Sequence, residues 1–264
     1  MISKLLCLSL LFSFGLTGLS CQTLSRLRDK GGTVFTIEIE TDAANRDEII
    51  ERAIKITQRR LDAIGADGEV TKIPGTDNQI SVKIYGADNP ETLKKFLFTS
   101  YRMELKKVVS MPNPAPVETF TNEESARQKA TENQEVLPYL EREESAVQRF
   151  VIVEKNPIVT GEDVRTADAY SKSGSNRGFS IAFSLKPEGA MKLGDWTEKN
   201  INNYLAVILN SEVKSIAYIK SKITDSGEIT GNFSKEVAEN IALSLKSGYL
   251  PAKMKIIEEK SFRN

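Results

Sequence analysis

The chain has 264 residues, enough to bury a core unaided, and its 36 Lys and Arg balance 36 Asp and Glu with no histidine present. Neutrality removes the basic face that nucleic-acid binding demands, so no nucleic-acid partner is expected. The missing imidazole excludes Ser-His-Asp and Cys-His nucleophiles and His-bearing metal sites.

Residues 1–20, MISKLLCLSLLFSFGLTGLS, carry one lysine, a short apolar run and then small residues before Cys21. The run is too short to span a bilayer comfortably and reads as a signal peptide. Cys7 lies within it, which leaves Cys21 alone and no disulfide. A cysteine just after a small-residue end resembles the bacterial lipobox, whose thiol takes a diacylglycerol. Acylation of Cys21 would tether the protein to a membrane without crossing it.

Residues 21–32 form the tether and end on Gly31-Gly32, a pair that reads as a tight turn or a close backbone approach. A first module covers 33–110. TVFTIEIE alternates as a strand does, and apolar residues from Ile49 to Ile64 recur at helical spacing until Gly65 ends the run. GEVTKIP and QISVKIYG are strands around a polar turn. Asn89-Pro90 opens a second helix, and YRMELKKVV closes the unit as a strand. The order βαββαβ is a ferredoxin-like arrangement.

MPNPAP, at 111–116, is a stiff connector. Thr121 and Glu124 are spaced as a capping box for a polar helix reaching about Glu135, within a connecting region 111–148. The second module, 149–250, begins with the strand RFVIVE. A helix follows Thr160, then a strand at 179–185, a helix from Pro187 to about Tyr204 and a hairpin turning at Asn210 and Ser211. A short strand near Glu228–Thr230 precedes a helix that Ser234 caps, Gly248 stops and Pro251 follows. The last strand, Lys253–Glu258, pairs with the first module. The expected fold class is therefore α+β, a ferredoxin-like base (33–110 and 251–260) with an inserted α+β head (149–250).

An ordered set of segments points to a family. It comprises LRDKGG (27–32), RRLDAIG (59–65), NPIVTGEDV (156–164), FSIAFSLKPEGAMKL (179–193), LAVILN (205–210) and EITGNFSKEVAENIALSLKSGYLPAKMKIIEE (228–259). Together they resemble the large periplasmic domain of SecD and fused SecDF, accessory subunits of the bacterial Sec protein-export channel. The positions carrying the resemblance are Gly31, Gly32, Gly65, Gly161, Ile229, Thr230, Gly231, Asn232, Phe233, Gly248, Leu250 and Pro251. The chain departs from the pattern at Asn210, where the family has aspartate, and at SIAYI and SKI, where Tyr218 and Lys222 stand in segments that carry proline.

The resemblance implies a base and a head, with a head that holds translocating polypeptide. Phe150, Asn210 and Tyr218 are the expected partner surface, and Sec subunits or exported chains the expected partners. No cofactor, metal or catalytic residue is expected, since acidic pairs such as Glu143-Glu144 and Glu258-Glu259 read as solvated and no phosphate-binding loop is present. The expected protein is an extracytoplasmic lipoprotein on the periplasmic face of a membrane that assists export without its own proton-driven motor. The competing expectation is an envelope lipoprotein using the same fold for a partner outside the Sec system.

Overall fold

Residues 31–86, 90–109, 116–140, 147–171 and 178–263 are described by a computed structural model. The leader, Cys21, residues 27–30, Asn89, residues 111–115 of MPNPAP and Glu143-Glu144 lie outside the described residues.

TVFTIEIE lies in β1 (Gly32–Glu40), where Phe35, Ile37 and Ile39 are fully buried and alternate with half-exposed neighbours. Helix α1 (Arg46–Ala63) lays Ile50, Ala53 and Leu61 on that apolar face. Strands β2 (Gly68–Lys72) and β3 (Gln79–Tyr85) form an antiparallel pair, and α2 (Pro90–Phe98) follows. The fourth strand of this sheet is β13 (Lys253–Phe262). The order is β13-β1-β3-β2, with every neighbour antiparallel.

The strand expected to close that unit lies elsewhere. β4 (Met103–Lys107) is buried on both faces, with Met103 and Leu105 on one side and Glu104 and Lys106 on the other. A strand with two covered faces belongs in the middle of a layered structure, whereas β13, with charged residues exposed along its length, suits the sheet edge. β4 accordingly pairs with β10 (Tyr204–Leu209).

This second sheet runs β6-β5-β11-β10-β4-β7, built from β5 (Gln134–Leu140), β6 (Gln148–Glu154), β7 (Val159–Thr160) and β11 (Glu212–Tyr218) besides β4 and β10. Its β11–β5 step is parallel. Just beyond β4, Val108 bridges Val153 on β6, and the Val109 amide donates to the Ile152 carbonyl at 2.9 Å. Strands β4, β10, β11, β5 and β6 thus close into a small barrel filled by Leu137, Val151, Val153, Ala206, Ile208 and Val213.

The other face of β4 and β10 packs on a third sheet, ordered β12-β9-β8: β8 (Val164–Ser171), β9 (Phe179–Leu185) and β12 (Ser226–Phe233). Helices α4 (Pro187–Lys199) and α5 (Lys235–Ser247) complete this core through Leu193, Ala238, Ile241 and Leu245.

Three expected helices differ. The segment after Thr160 is one 3-10 turn, Gly161–Asp163, because VRTADAY alternates and pairs with β9. The polar helix α3 (Glu123–Lys129) is capped by Asn122 and not Thr121; it ends at Ala130, since QEVLPYL forms β5 and pairs with β6. The region 111–148 therefore holds a strand besides its helix. Helix α4 stops at Lys199, five residues short of Tyr204, and Asn202 beyond it takes a left-handed conformation with φ 70°.

Candidate functional site

The joint between the first sheet and the rest is organised by Arg60. This side chain is wholly buried, and its Nη1 donates to the carbonyls of Leu97 (2.8 Å) and Thr99 (2.7 Å) at the end of α2. Its Nη2 donates to the Ser244 hydroxyl (3.1 Å) and to the Gly248 carbonyl (3.2 Å) at the end of α5. Among the described residues no carboxylate pairs with it. The negative ends of two helix dipoles and their unsatisfied carbonyls supply the counter-charge. Burial pushes the guanidinium down to about 10, so it stays charged at neutral pH. Within the RR pair, Arg60 falls four residues after buried Ile56, on the helix's inward stripe, and Arg59 faces solvent. That spacing was the available signal.

Further contacts cross the same joint. Arg52 pairs with Glu162, and its guanidinium lies 5.4 Å from the centroid of the Tyr249 ring. Lys95 pairs with Glu236 at 3.1 Å, and the Leu250 amide donates to the Ser100 hydroxyl at 3.0 Å. Between the two crossing segments lies a cleft of about 470 Å³, lined by Phe98, Arg102, Tyr249, Pro251 and Met254 among others.

Most family-motif positions have structural causes. Gly31 has φ 78°, and a Cβ there would stand 2.2 Å from the Phe262 carbonyl oxygen; at Gly32 it would stand 2.0 Å from that of Ile84. Gly65 (φ 66°) and Gly248 (φ 95°) follow α1 and α5 in left-handed conformations. In ITGNF, Ile229 is buried and Gly231 lies against the Phe233 ring, which packs on the main core. Thr230 falls in an irregular stretch, since the pairing with β9 shifts between Ile229 and Phe233. The side chain of Asn232 lies outside the described residues. Ser234 caps α5 by accepting from the Val237 amide, Leu250 is buried and Pro251 is half-exposed. At Gly161 a Cβ would meet only ordinary contacts. Gly189 meets a harder limit, because a Cβ there would lie 2.6 Å from that of Asp163.

Asp163 accepts from the Thr160 amide at 2.9 Å and pairs with Lys192 at 3.0 Å. Burial opposes its ionisation, but the Thr160 amide and Lys192 together hold its carboxyl below the usual carboxylate value.

The three residues expected to form a partner surface each make contacts within the fold. Phe150 is half-buried against Phe120 and Ile152. Asn210 and Ser211 hold left-handed φ values of 51° and 63° in the hairpin turn, and Asn210 Oδ1 accepts from the Arg102 amide at 2.8 Å. The Tyr218 hydroxyl donates to Asn202 at 2.6 Å while its ring meets Tyr204. The structure does not bring them into one site.

The barrel holds an ionic trio that sequence reading missed, with Glu104 and Lys106 buried and Glu135 a third exposed. Lys106 Nζ pairs with Glu135 and, at 3.1 Å, with Glu104, which Arg102 also engages at 2.6 Å. In MELKK, strand alternation places Glu104 and Lys106 on one face, which is the signal the sequence offers. Among the described residues no group of three acidic or sulfur side chains could hold a metal, and no helix is long and apolar enough to cross a membrane.

The family model describing the SecDF P1 head subdomain matches residues 134–252. That span begins at β5 and ends where the chain returns to the first sheet. SecD of Aquifex aeolicus is 34% identical over 215 residues, covering 81% of this chain and 40% of that protein. The chain carries a SecD/SecDF-like domain. SecD of Koribacter versatilis is 31% identical over 219 residues, covering 82% of this chain and 39% of the relative. The chain thus spans about two fifths of the length of these curated relatives. A solved SecDF, described as a membrane component that enhances protein export, superimposes with TM-score 0.60 at 24% identity over 85% of this chain and 98% of that one. SecDF in its super-membrane-facing form gives TM-score 0.65 over 89% of this chain and 31% of that one, also at 24% identity. These structures share the mixed α+β fold with this SecD-like chain.

Proposed function

We propose that the chain is an extracytoplasmic, membrane-tethered SecD-like domain that binds polypeptide or Sec components and assists protein export by contact. The observation that carries this reading is the 34% identity to SecD over 215 residues, 81% of this chain and too long a span to be confined to either the first sheet or the insertion. We read the first sheet with α1 and α2 as a ferredoxin-like base and the segment inserted between α2 and β13 as a head. The β13-β1-β3-β2 order supports that division.

The insertion offers apolar side chains to a partner. Leu140, the last residue of β5, and Val147, directly before β6, are 47% and 48% exposed, and Met191 on α4 is 62% exposed. The outer edges of β8 and β12 can capture extended chain through backbone hydrogen bonds with little sequence preference. The role is one of binding, not catalysis.

In-cell photocrosslinking from probes at Leu140, Val147 and Met191 tests it. Crosslinks to Sec subunits or to many unrelated exported chains are expected. A single recurring envelope protein, with neither of these, would overturn the export role and favour a lipoprotein serving another partner.

A further inference from the structure

On the outer face of the first sheet, Tyr85 and Phe262 meet edge to face over Gly32, with ring centroids 5.7 Å apart. The Lys83 ammonium lies 4.8 Å from one centroid and 4.7 Å from the other. Lys260, 69% exposed, stands in the next row, where Val34 separates it from Lys83. The sheet's apolar core lies on its other face, behind Phe35, Ile37 and Ile39. Two half-exposed rings rimmed by lysines have the chemistry of a membrane interface, where aromatic bodies sit at headgroup depth and ammonium groups reach phosphates.

Gly31, which directly precedes β1, lies beside the patch, and its carbonyl accepts from the Gly86 amide at 2.9 Å. Only residues 21–30 separate that point from the apolar run of 1–20, a reach of at most about 35 Å fully extended. Those residues, CQTLSRLRDK, set Arg26, Arg28 and Lys30 against Asp29.

We propose that Tyr85, Phe262, Lys83 and Lys260 form a lipid-facing patch that seats this end of the sheet on the anionic headgroup layer of the membrane holding the N-terminal segment. The proposal rests on the tethering proposed above. Glu69, opposite Lys83 on β2, and Glu258, paired with Lys260 at 2.6 Å, temper the positive charge. The rings therefore supply most of the contact, and the lysines add a preference for anionic lipid.

The test uses the full chain in vesicles of acyl-brominated phosphatidylcholine, with or without phosphatidylglycerol. Phe262→Trp places an indole in the patch, and Tyr85→Trp repeats the readout from the neighbouring strand. Gln79→Trp, at the far end of the same face, is the control, and native Trp196, packed against the main core, sets the baseline. Quenching of the indoles introduced at 262 and 85, but not at 79, is expected, with the excess seen in phosphatidylglycerol lost on adding Lys83→Gln and Lys260→Gln. Protein that floats with the vesicles while both patch indoles stay unquenched overturns the patch and leaves the tether standing. Protein that does not float overturns both.

Discussion

Arg60 and Gly248 lie 188 residues apart in the chain, yet the guanidinium of one donates to the carbonyl of the other at 3.2 Å. The bond joins a helix of the first sheet to the end of the last helix of the insertion. One side chain thereby satisfies the exposed carbonyls of two helix ends and fixes how the two parts meet.

Arg60→Ala should lower unfolding free energy by about 3 kcal/mol, because buried carbonyls and the Ser244 hydroxyl lose a charged donor. Arg60→Lys should recover only part of this, since a point charge cannot match the planar fork. Urea denaturation measures both. A loss below about 0.5 kcal/mol for the alanine variant would mean the carbonyls find other donors.

Gly32→Ala and Gly65→Ala should separate close approach from backbone conformation. The first places a methyl 2.0 Å from a carbonyl oxygen within the sheet, while the second meets open space and carries only the cost of φ 66°. Losses of more than about 3 kcal/mol and of about 1 kcal/mol are expected in thermal unfolding. Equal losses would contradict the packing around Gly32.

The carboxyl of Asp163 is held below its ordinary value, so the folded state binds its proton less readily than the unfolded state. Its stabilisation is complete above the unfolded value near 3.9 and fades as pH falls through the lower folded value. Asp163→Asn should cost about 1 kcal/mol at neutral pH, through loss of the cap and the Lys192 pair, and should flatten the acid limb of the stability profile. An unchanged acid limb would assign that limb to other carboxylates.

Lys106→Met removes the cation that Glu104 and Glu135 share; because Arg102 still engages Glu104 and Glu135 is a third exposed, the cost should be about 2 kcal/mol. Combining it with Glu104→Gln and Glu135→Gln should restore much of the loss, because neutral side chains carry no uncompensated charge. Chemical denaturation of the single and triple variants decides whether the trio acts as a unit.

At the β10–β11 turn, Asn210→Asp should stay within about 0.5 kcal/mol of the parent, since aspartate tolerates the left-handed conformation and keeps the acceptor for the Arg102 amide. Asn210→Ala should cost about 1 kcal/mol or more, because it loses both. The difference in melting temperature reads this directly.

The sequence by itself determined what depends on near neighbours. Alternation in TVFTIEIE, helical spacing in α1 and α5, the cap at Ser234, the stop at Gly248 and the turn at Asn210-Ser211 are each decided within a few residues. The ordered motifs likewise carried the likeness to SecD. Tertiary structure alone decided the sheet that accepted each strand. Met103–Lys107 reads as an ordinary strand in any window, and only the covering of both its faces assigns it to the barrel and leaves the first sheet to β13. The turn after Thr160 and the strand at Gln134–Leu140 went the same way, because pairing with β9 and β6 overrode weak helical signals. Arg60 and the Lys106 trio were hidden for a related reason: a charge reads as surface until distant segments supply the carbonyls or carboxylates that let it be buried.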